Sequence, residues 1–258
     1  MSSIQFQIRK QVGIITLNRP EVFNSFNKEM AVLLQKVLDD CASDDNVRAI
    51  YITANGKAFC AGQDLQEVTD PNGPELTSIV TEHYNPIIAR IRAIEKPIIA
   101  AVNGVAAGAG ANIALACDIC VAHEAVSFIQ AFSKIGLIPD SAGTYFLPRL
   151  VGMQKATALM MLGDKVGADE AERLGMIYKC LPTATFEDDS LKIATKLATM
   201  PTKGLGLTKR ALNHTFSNDL NQQLALEGEL QTIAGKTYDY NEGVAAFLEK
   251  RKPEFKGK

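Results

Sequence analysis

The sequence predicts an α/β fold whose C-terminal part is helical, on three observations. Short apolar runs alternate with stretches of helical spacing from Ile4 onward. From Gly152 to the end the apolar spacing is almost wholly helical. Between them, Pro97 to Val102 is apolar at nearly every position, as a strand covered on both faces should be.

The elements follow in order. Ile4, Phe6 and Ile8 alternate, Lys10 and Gln11 mark a turn, and Val12 to Leu17 completes a hairpin. Asn18 to Asn27 is a loop, with Asn27 placed to cap a helix whose apolar face is Met30, Leu33, Leu34, Val37, Leu38 and Cys41. Val47 to Thr53 reads as a strand ended by Asn55-Gly56, Lys57 to Leu65 as a second loop, and Asp70 to Pro74 as a polar, mobile break. Leu76, Ile79, Val80, Ile87, Ile88, Ile91 and Ile94 describe a helix broken or kinked at Pro86. Asn103-Gly104 interrupts the chain after Val102, and Ala106 to Cys117 predicts a helix of very small residues. Strands at Ile119 to Ala122 and around Phe128 precede a loop, Gly136 to Thr144. Turns at Gly163, Gly175, Pro182, Pro201 and Gly235 divide the remaining helices. No internal repeat is visible.

Gly108, Ala109 and Gly110 stand at the start of the small-residue helix, where backbone N–H groups lack partners and the dipole is positive. Side chains this small admit a ligand oxygen to those N–H groups. The pattern fits a site for developing negative charge, and equally a helix buried by tight packing.

Composition narrows the classes. Hydrophobic residues are 47% and charged residues 22%, the balance of a globular protein with a full core. A net charge of −2 argues against nucleic acid or an anionic membrane as partner. No apolar segment reaches transmembrane length and the N-terminus has no signal-peptide core. Five cysteines in mostly apolar runs fit reduced thiols and a cytoplasmic location. Cys117 and Cys120 have C-x-x-C spacing without a second pair, so no metal is expected. Gly108-x-Gly110 lacks the third glycine of a dinucleotide fingerprint, with Ile113 in its place, so a dinucleotide cofactor is not expected. His83 reads as a helix-surface residue, and His123 and His214 show no partner. The basic residues from Lys250 to Lys258 read as a solvated tail, or as a phosphate contact.

Four segments together resemble the crotonase (enoyl-CoA hydratase/isomerase) superfamily: Leu17 to Phe26, Phe59 to Leu65, Lys96 to Gly104 running into Gly108–Gly110, and Gly136 to Thr144. The resemblance spans essentially the whole chain. It implies a spiral of strand–strand–helix units over residues 1–200 and a helical oligomerisation region, 201–258, that builds a homotrimer or homohexamer. It implies acyl-CoA thioesters as substrates and two backbone N–H groups that bind the thioester oxygen as it gains enolate charge. Matched residue by residue, those donors are Gln63, after Gly62, and Ala109. The CoA moiety would lie along Asn18 to Phe23 and Lys57 to Leu65, with Arg19 and Lys57 as nearest cations and with Phe23, Ala61, Gly62, Asp64, Leu65, Gly110 and Phe132 lining the site. Phe255 or Lys256 of a neighbouring subunit would complete it.

The two carboxylates of the family's hydratases fall on Asn112 and Phe132, neither of which is a general base. A carboxylate stands instead at Asp140, which is either a helix cap or a lone acid/base beside the acyl chain, with a pKa raised by desolvation. Further segments, Tyr84 to Pro86, Ala131 to Asp140 and Asp239 to Gly243 among them, resemble ring-1,2-epoxyphenylacetyl-CoA isomerases of phenylacetate degradation. The resemblance implies conversion of the ring epoxide to the oxepin, a 3-enoyl to 2-enoyl double-bond shift, or both, alongside other phenylacetate or β-oxidation enzymes. An enoyl-CoA hydratase of other specificity and a non-catalytic scaffold of the same fold are the alternatives.

Overall fold

The computed structural model describes residues 2–258. Strands β1 (Ile4–Arg9) and β2 (Val12–Leu17) form the predicted hairpin, paired antiparallel from Ile4↔Leu17 to Arg9↔Val12, with Lys10 and Gln11 both in the left-handed region that such a turn requires. Helix α1 (Lys28–Ser43) is capped by Asn27, whose side chain accepts from the Met30 N–H. Strand β3 (Ala49–Ala54) follows, then β4 (Ala58–Cys60) and the short α2 (Leu65–Thr69). A single helical run then holds α3 (Leu76–Ser78), a π turn (Ile79–Tyr84) and α4 (Asn85–Ala93). Next come β5 (Ile98–Val102), β6 (Val105–Ala107), α5 (Ala109–Ala116), β7 (Ile119–His123) and β8 (Ser127–Ile129). The remainder is α6 (Gly143–Val151), α7 (Met153–Leu162), β9 (Lys165–Gly167), α8 (Ala168–Arg173), β10 (Lys179–Leu181), α9 (Phe186–Ala198), α10 (Thr202–His214), α11 (Leu220–Ala234) and α12 (Tyr238–Leu248).

The strands form two sheets. One runs β1-β2-β3-β5-β7-β10, and beyond the hairpin its neighbours pair in parallel; the other runs β4-β6-β8-β9. Successive turns of the chain place one strand in each sheet and a helix outside, which is the layered spiral expected. The inner strands of the six-stranded sheet, β2, β3, β5 and β7, are buried on both faces, while the edge strand β1 is largely exposed. Ile50, Ile52, Ile98 and Ala100 face the large core under α1, α4 and α5, while Ala49, Tyr51, Ile99 and Ala101 face α9 through Phe186, Ala194 and Ala198. That double cover is why Ile98–Val102 is apolar throughout.

Five expectations need correction. The small-residue helix begins at Ala109, because Val105–Ala107 pairs as a strand with β4 and β8 and Gly108, at φ 53° and ψ −128°, cannot be helical. A run of Ala and Gly hides the change because it has no apolar period. Lys57 to Leu65 holds a strand and a helix start, and β9 and β10 interrupt the C-terminal helices; each of these three strands spans three residues, too few to show an alternation. His83 is buried, at 2% exposure, since the π turn brings it and Tyr84 inward together. The break near Pro86 is this widening: the Asn85 N–H bonds the Val80 carbonyl, five residues back. His123 has a partner, with Nε2 2.7 Å from the Asn103 carbonyl.

The C-terminus is docked through its backbone, while the basic side chains of Lys250, Arg251, Lys252, Lys256 and Lys258 stay exposed. Asp239 accepts from the Lys256 and Gly257 N–H groups at 2.6 and 2.8 Å, and buried Arg48 donates to Phe255 O at 2.8 Å, Met200 O at 2.6 Å and Thr202 Oγ1 at 2.9 Å. Among the described residues no helix is long and apolar enough to cross a membrane, and no group of three or more His, Cys, Asp or Glu side chains gathers as a metal would require. Arg48→Ala removes three charge-assisted hydrogen bonds at once. It is expected to lower unfolding free energy by about 2 kcal/mol or more and to expose residues 250–258 to limited proteolysis, read by denaturant melts and mass spectrometry.

Candidate active site

Loop 18–27 is laced to the turn at Gly62. The Ala61 N–H donates to Phe23 O at 3.0 Å, the Phe26 N–H to Gly62 O at 2.7 Å and the Asp64 N–H to Phe26 O at 2.9 Å. Asn24, wholly buried at φ 55°, donates from Nδ2 to the carbonyls of Asn55 and Ala58 and accepts the Arg19 N–H. Asn and Asp tolerate that backbone where other polar residues do not, which is the signal that singles out Asn24 as the stitch of this loop. It lies within the segment quoted for the family likeness, yet sequence alone gave it no role.

Gly62 stands at φ 96°, and a Cβ there would meet Ala107 O at 3.2 Å and Ala109 N at 3.7 Å. The turn after β4 and the turn after β6 therefore touch, backbone to backbone. Behind them, a Cβ on Gly110 would fall 2.5–2.6 Å from Cys60 Cβ, O and Sγ, so only glycine fits. Cys60 is wholly buried; its sulfur accepts the Gly62 N–H at 3.4 Å, and burial pushes the thiol up to about 12. It is a packing residue and not a nucleophile. The N–H groups of Gln63 and Ala109 follow directly on the two touching turns. Neither donates to an acceptor among the described residues, and Ala109 opens α5, where no intrahelical partner exists. Two free N–H donors beside one another are what an anionic oxygen needs.

The opposite wall is built on α5. Asn112, one turn beyond Ala109, is buried and bonded on both sides: its Nδ2 donates to Asp140 O at 2.9 Å, and its Oδ1 accepts from Gln130 Nε2 at 2.8 Å. It holds the Asp140 backbone and packs on Gly143, where a Cβ would come within 2.3 Å of Nδ2. The Asp140 carboxylate accepts the Ser141 hydroxyl at 2.9 Å and caps no helix; α6 starts behind Ala142 without a side-chain cap. Burial raises the Asp140 pKa above its ordinary value of 3.8, the Ser141 bond only partly offsetting it. Phe132 is buried and brings its ring edge near Gly108, 3.7 Å from where a Cβ would lie.

Other candidate residues take different places. Phe23, Lys57, Ala61 and Leu65 are exposed along the rim. Arg19 is half-buried and committed: it donates to Asp64 Oδ2 at 2.9 Å and to Ser25 O at 2.6 Å, so it braces the loop and is not a free cation for a phosphate. Asp64 also caps α2 by accepting the Gln66 N–H. Within this chain Phe255 and Lys256 sit on α12, the Lys256 ammonium lying 4.4 Å over the Tyr238 ring.

Comparison with known proteins identifies the family. The model of the enoyl-CoA hydratase/isomerase family matches residues 7–258. The chain is 47% identical to 1,2-epoxyphenylacetyl-CoA isomerase of Escherichia coli (strain K12), over 100% of both chains, and 34% identical to 2,3-dehydroadipyl-CoA hydratase of the same organism, again over 100% of both. A crystal structure of an enoyl-CoA hydratase from Bacillus anthracis superposes with a TM-score of 0.92 at 31% identity, covering 99% of this chain and 100% of that one.

The raised carboxyl sets the sign of a pH effect. A folded-state pKa above the unfolded value means that the folded protein binds the extra proton between the two values, so stability falls as pH rises through that window and stays lower above it. Asp140→Asn is expected to melt at a higher temperature than wild type at pH 7, with the difference shrinking below about pH 4. A lower melting temperature at pH 7 contradicts the desolvated setting.

Proposed function

Because the chain belongs to the enoyl-CoA hydratase/isomerase family, we propose that it is a cofactor-independent isomerase of acyl-CoA thioesters, with Asp140 as its single acid/base and the Gln63 and Ala109 N–H groups as its oxyanion hole. The observation that carries this reading is Asn112. Where a hydratase of the family would place one carboxylate, this side chain is spent on holding Asp140, and Phe132 occupies the other position. With no pair of carboxylates to activate and deliver water, hydration is disfavoured, and one carboxylate suffices to move a proton.

For a 3-enoyl-CoA the steps balance within the substrate. Asp140 removes a proton from C2, the electron pair moves onto the thioester oxygen to give a dienolate, and the two N–H groups hold that oxygen. Asp140 then returns the same proton at C4, leaving the 2-enoyl thioester and a carboxylate as at the start. Backbone donors of this kind contribute about 3–4 kcal/mol each to the transition state. A carboxyl pKa raised by burial makes Asp140 a stronger base than an exposed aspartate.

The full-length likeness to the Escherichia coli isomerase supports ring-1,2-epoxyphenylacetyl-CoA as a substrate, with its oxepin isomer as product and the double-bond shift as a related activity on the same machinery. Work alongside other phenylacetate or β-oxidation enzymes in the cytoplasm fits that chemistry. Pantetheine would follow the backbone of residues 18–23 and 57–65, with Lys57 as the free cation at the rim. Exposed Leu220, Leu224, Phe247 and Leu248 on α11 and α12 support residues 201–258 as the region that pairs subunits into a homotrimer or homohexamer.

Asp140→Asn tests the reading on 3-hexenoyl-CoA, followed by the ultraviolet absorbance of the conjugated product. Wild type is expected to isomerise it, and the variant to lose roughly two or more orders of magnitude in kcat. Hydration of crotonyl-CoA at a comparable rate, or a variant as fast as wild type, overturns the single-carboxylate mechanism.

A further inference from the structure

The side chain of Gln63 is held at both ends. Its Oε1 accepts the Tyr84 hydroxyl at 2.8 Å, and its Nε2 donates to Glu67 Oε2 at 2.8 Å. The other Glu67 oxygen accepts the Lys28 N–H at 2.8 Å, which anchors the chain on the first residue of α1. Tyr84 is 1% exposed, with its ring edge-on to Phe26 at 5.9 Å, and Phe26 is the residue whose backbone bonds both sides of Gln63. Tyr84 arrives from the π turn, the widened stretch that points both it and His83 inward. Its phenol is further raised in pKa by burial, then by Cys60, Asp140 and the neighbouring acids, so it is a neutral donor.

An oxyanion donor works only if its N–H is aimed before the charge develops. Gln63 follows a glycine at φ 96°; the Gly62 carbonyl of the same peptide is held by the Phe26 N–H at 2.7 Å, and the carboxamide adds a second, side-chain anchor to that turn. The carboxamide has no other evident task, since only the backbone of residue 63 is needed for the oxyanion. We propose that Tyr84 and Glu67 are positioning residues, which clamp the Gln63 carboxamide and thereby aim its N–H at the thioester oxygen. The inference rests on Gln63 being one of the two oxyanion donors of the isomerase.

Four single variants separate this clamp from ordinary packing. Tyr84→Phe deletes only the hydroxyl, Gln63→Ala keeps the N–H but removes the carboxamide, Glu67→Ala removes the acceptor and Glu67→Gln retains one. Each is measured for kcat and KM on 3-hexenoyl-CoA, and for the infrared carbonyl stretch of bound, carbonyl-labelled hexanoyl-CoA, which reports polarisation without turnover. Tyr84→Phe, Gln63→Ala and Glu67→Ala are expected to lower kcat about tenfold with KM changed less than about twofold, and to move the stretch back toward its value in free thioester. Glu67→Gln is expected to fall between wild type and Glu67→Ala, because its single oxygen can serve Gln63 Nε2 or the Lys28 N–H but not both, and Tyr84→Phe combined with Gln63→Ala is no worse than Gln63→Ala alone, because both break one chain. An unshifted stretch in Tyr84→Phe, additive losses, or Glu67→Gln as impaired as Glu67→Ala overturns the clamp. A wild type that polarises the bound thioester yet does not isomerise it refutes the isomerase reading and leaves the clamp to be judged on the stretch alone.

Discussion

Two backbone turns from different parts of the chain have to touch with no side chain between them, and much of the molecule serves that contact. Gly62 lies over Ala107 and Ala109, Gly110 lies against Cys60, and Gly104 lies where a Cβ would be 2.3 Å from Lys57 O. These three glycines line the seam along which β4 pairs with β6 in the four-stranded sheet. The inner strands of the six-stranded sheet, covered on both faces, support that seam. The spiral brings successive turns of chain into register and so sets the turn before Gln63 against the turn before Ala109.

Asp140 shows the opposite economy. It is a carboxylate in a partly desolvated setting, next to Ser141 and Ala142, both left-handed without being glycine. Such backbone is strained by roughly 1–3 kcal/mol per residue and persists only where its surroundings enforce it. Here the enforcement comes from the Asn112–Gln130 relay and from the Gly143 N–H, which donates to Asp140 O at 2.8 Å.

The legible parts of the sequence were those with a period or a cap. The hairpin at Lys10-Gln11, helix α1 behind Asn27 and the buried run Ile98–Val102 were all read correctly, because alternation, helical spacing and turn chemistry each carry a local signal. The three-residue strands β4, β6, β9 and β10 were not, since pairing across the sheet, and not the residues themselves, defines them. At the site, Gln63, Ala109 and Asp140 are proposed through family likeness at matching positions, and the structure adds that the turns before the first two touch. The pairing of Arg19 is not legible in the sequence, because its partner, Asp64, is distant along the chain. The Tyr84–Gln63–Glu67 chain was invisible for the same reason: it joins the π turn to the Gly62 turn across the fold.

The central claim is that one oxygen binds between Gln63 and Ala109 while Asp140 faces the adjacent carbons. A crystal structure with bound hexanoyl-CoA, which has no double bond to shift, tests it most directly. The thioester oxygen is expected about 3 Å from both backbone nitrogens, with an Asp140 oxygen turned toward C2 and C4 of the acyl chain. A thioester oxygen bonded elsewhere, or an Asp140 carboxylate directed away from those carbons, contradicts it.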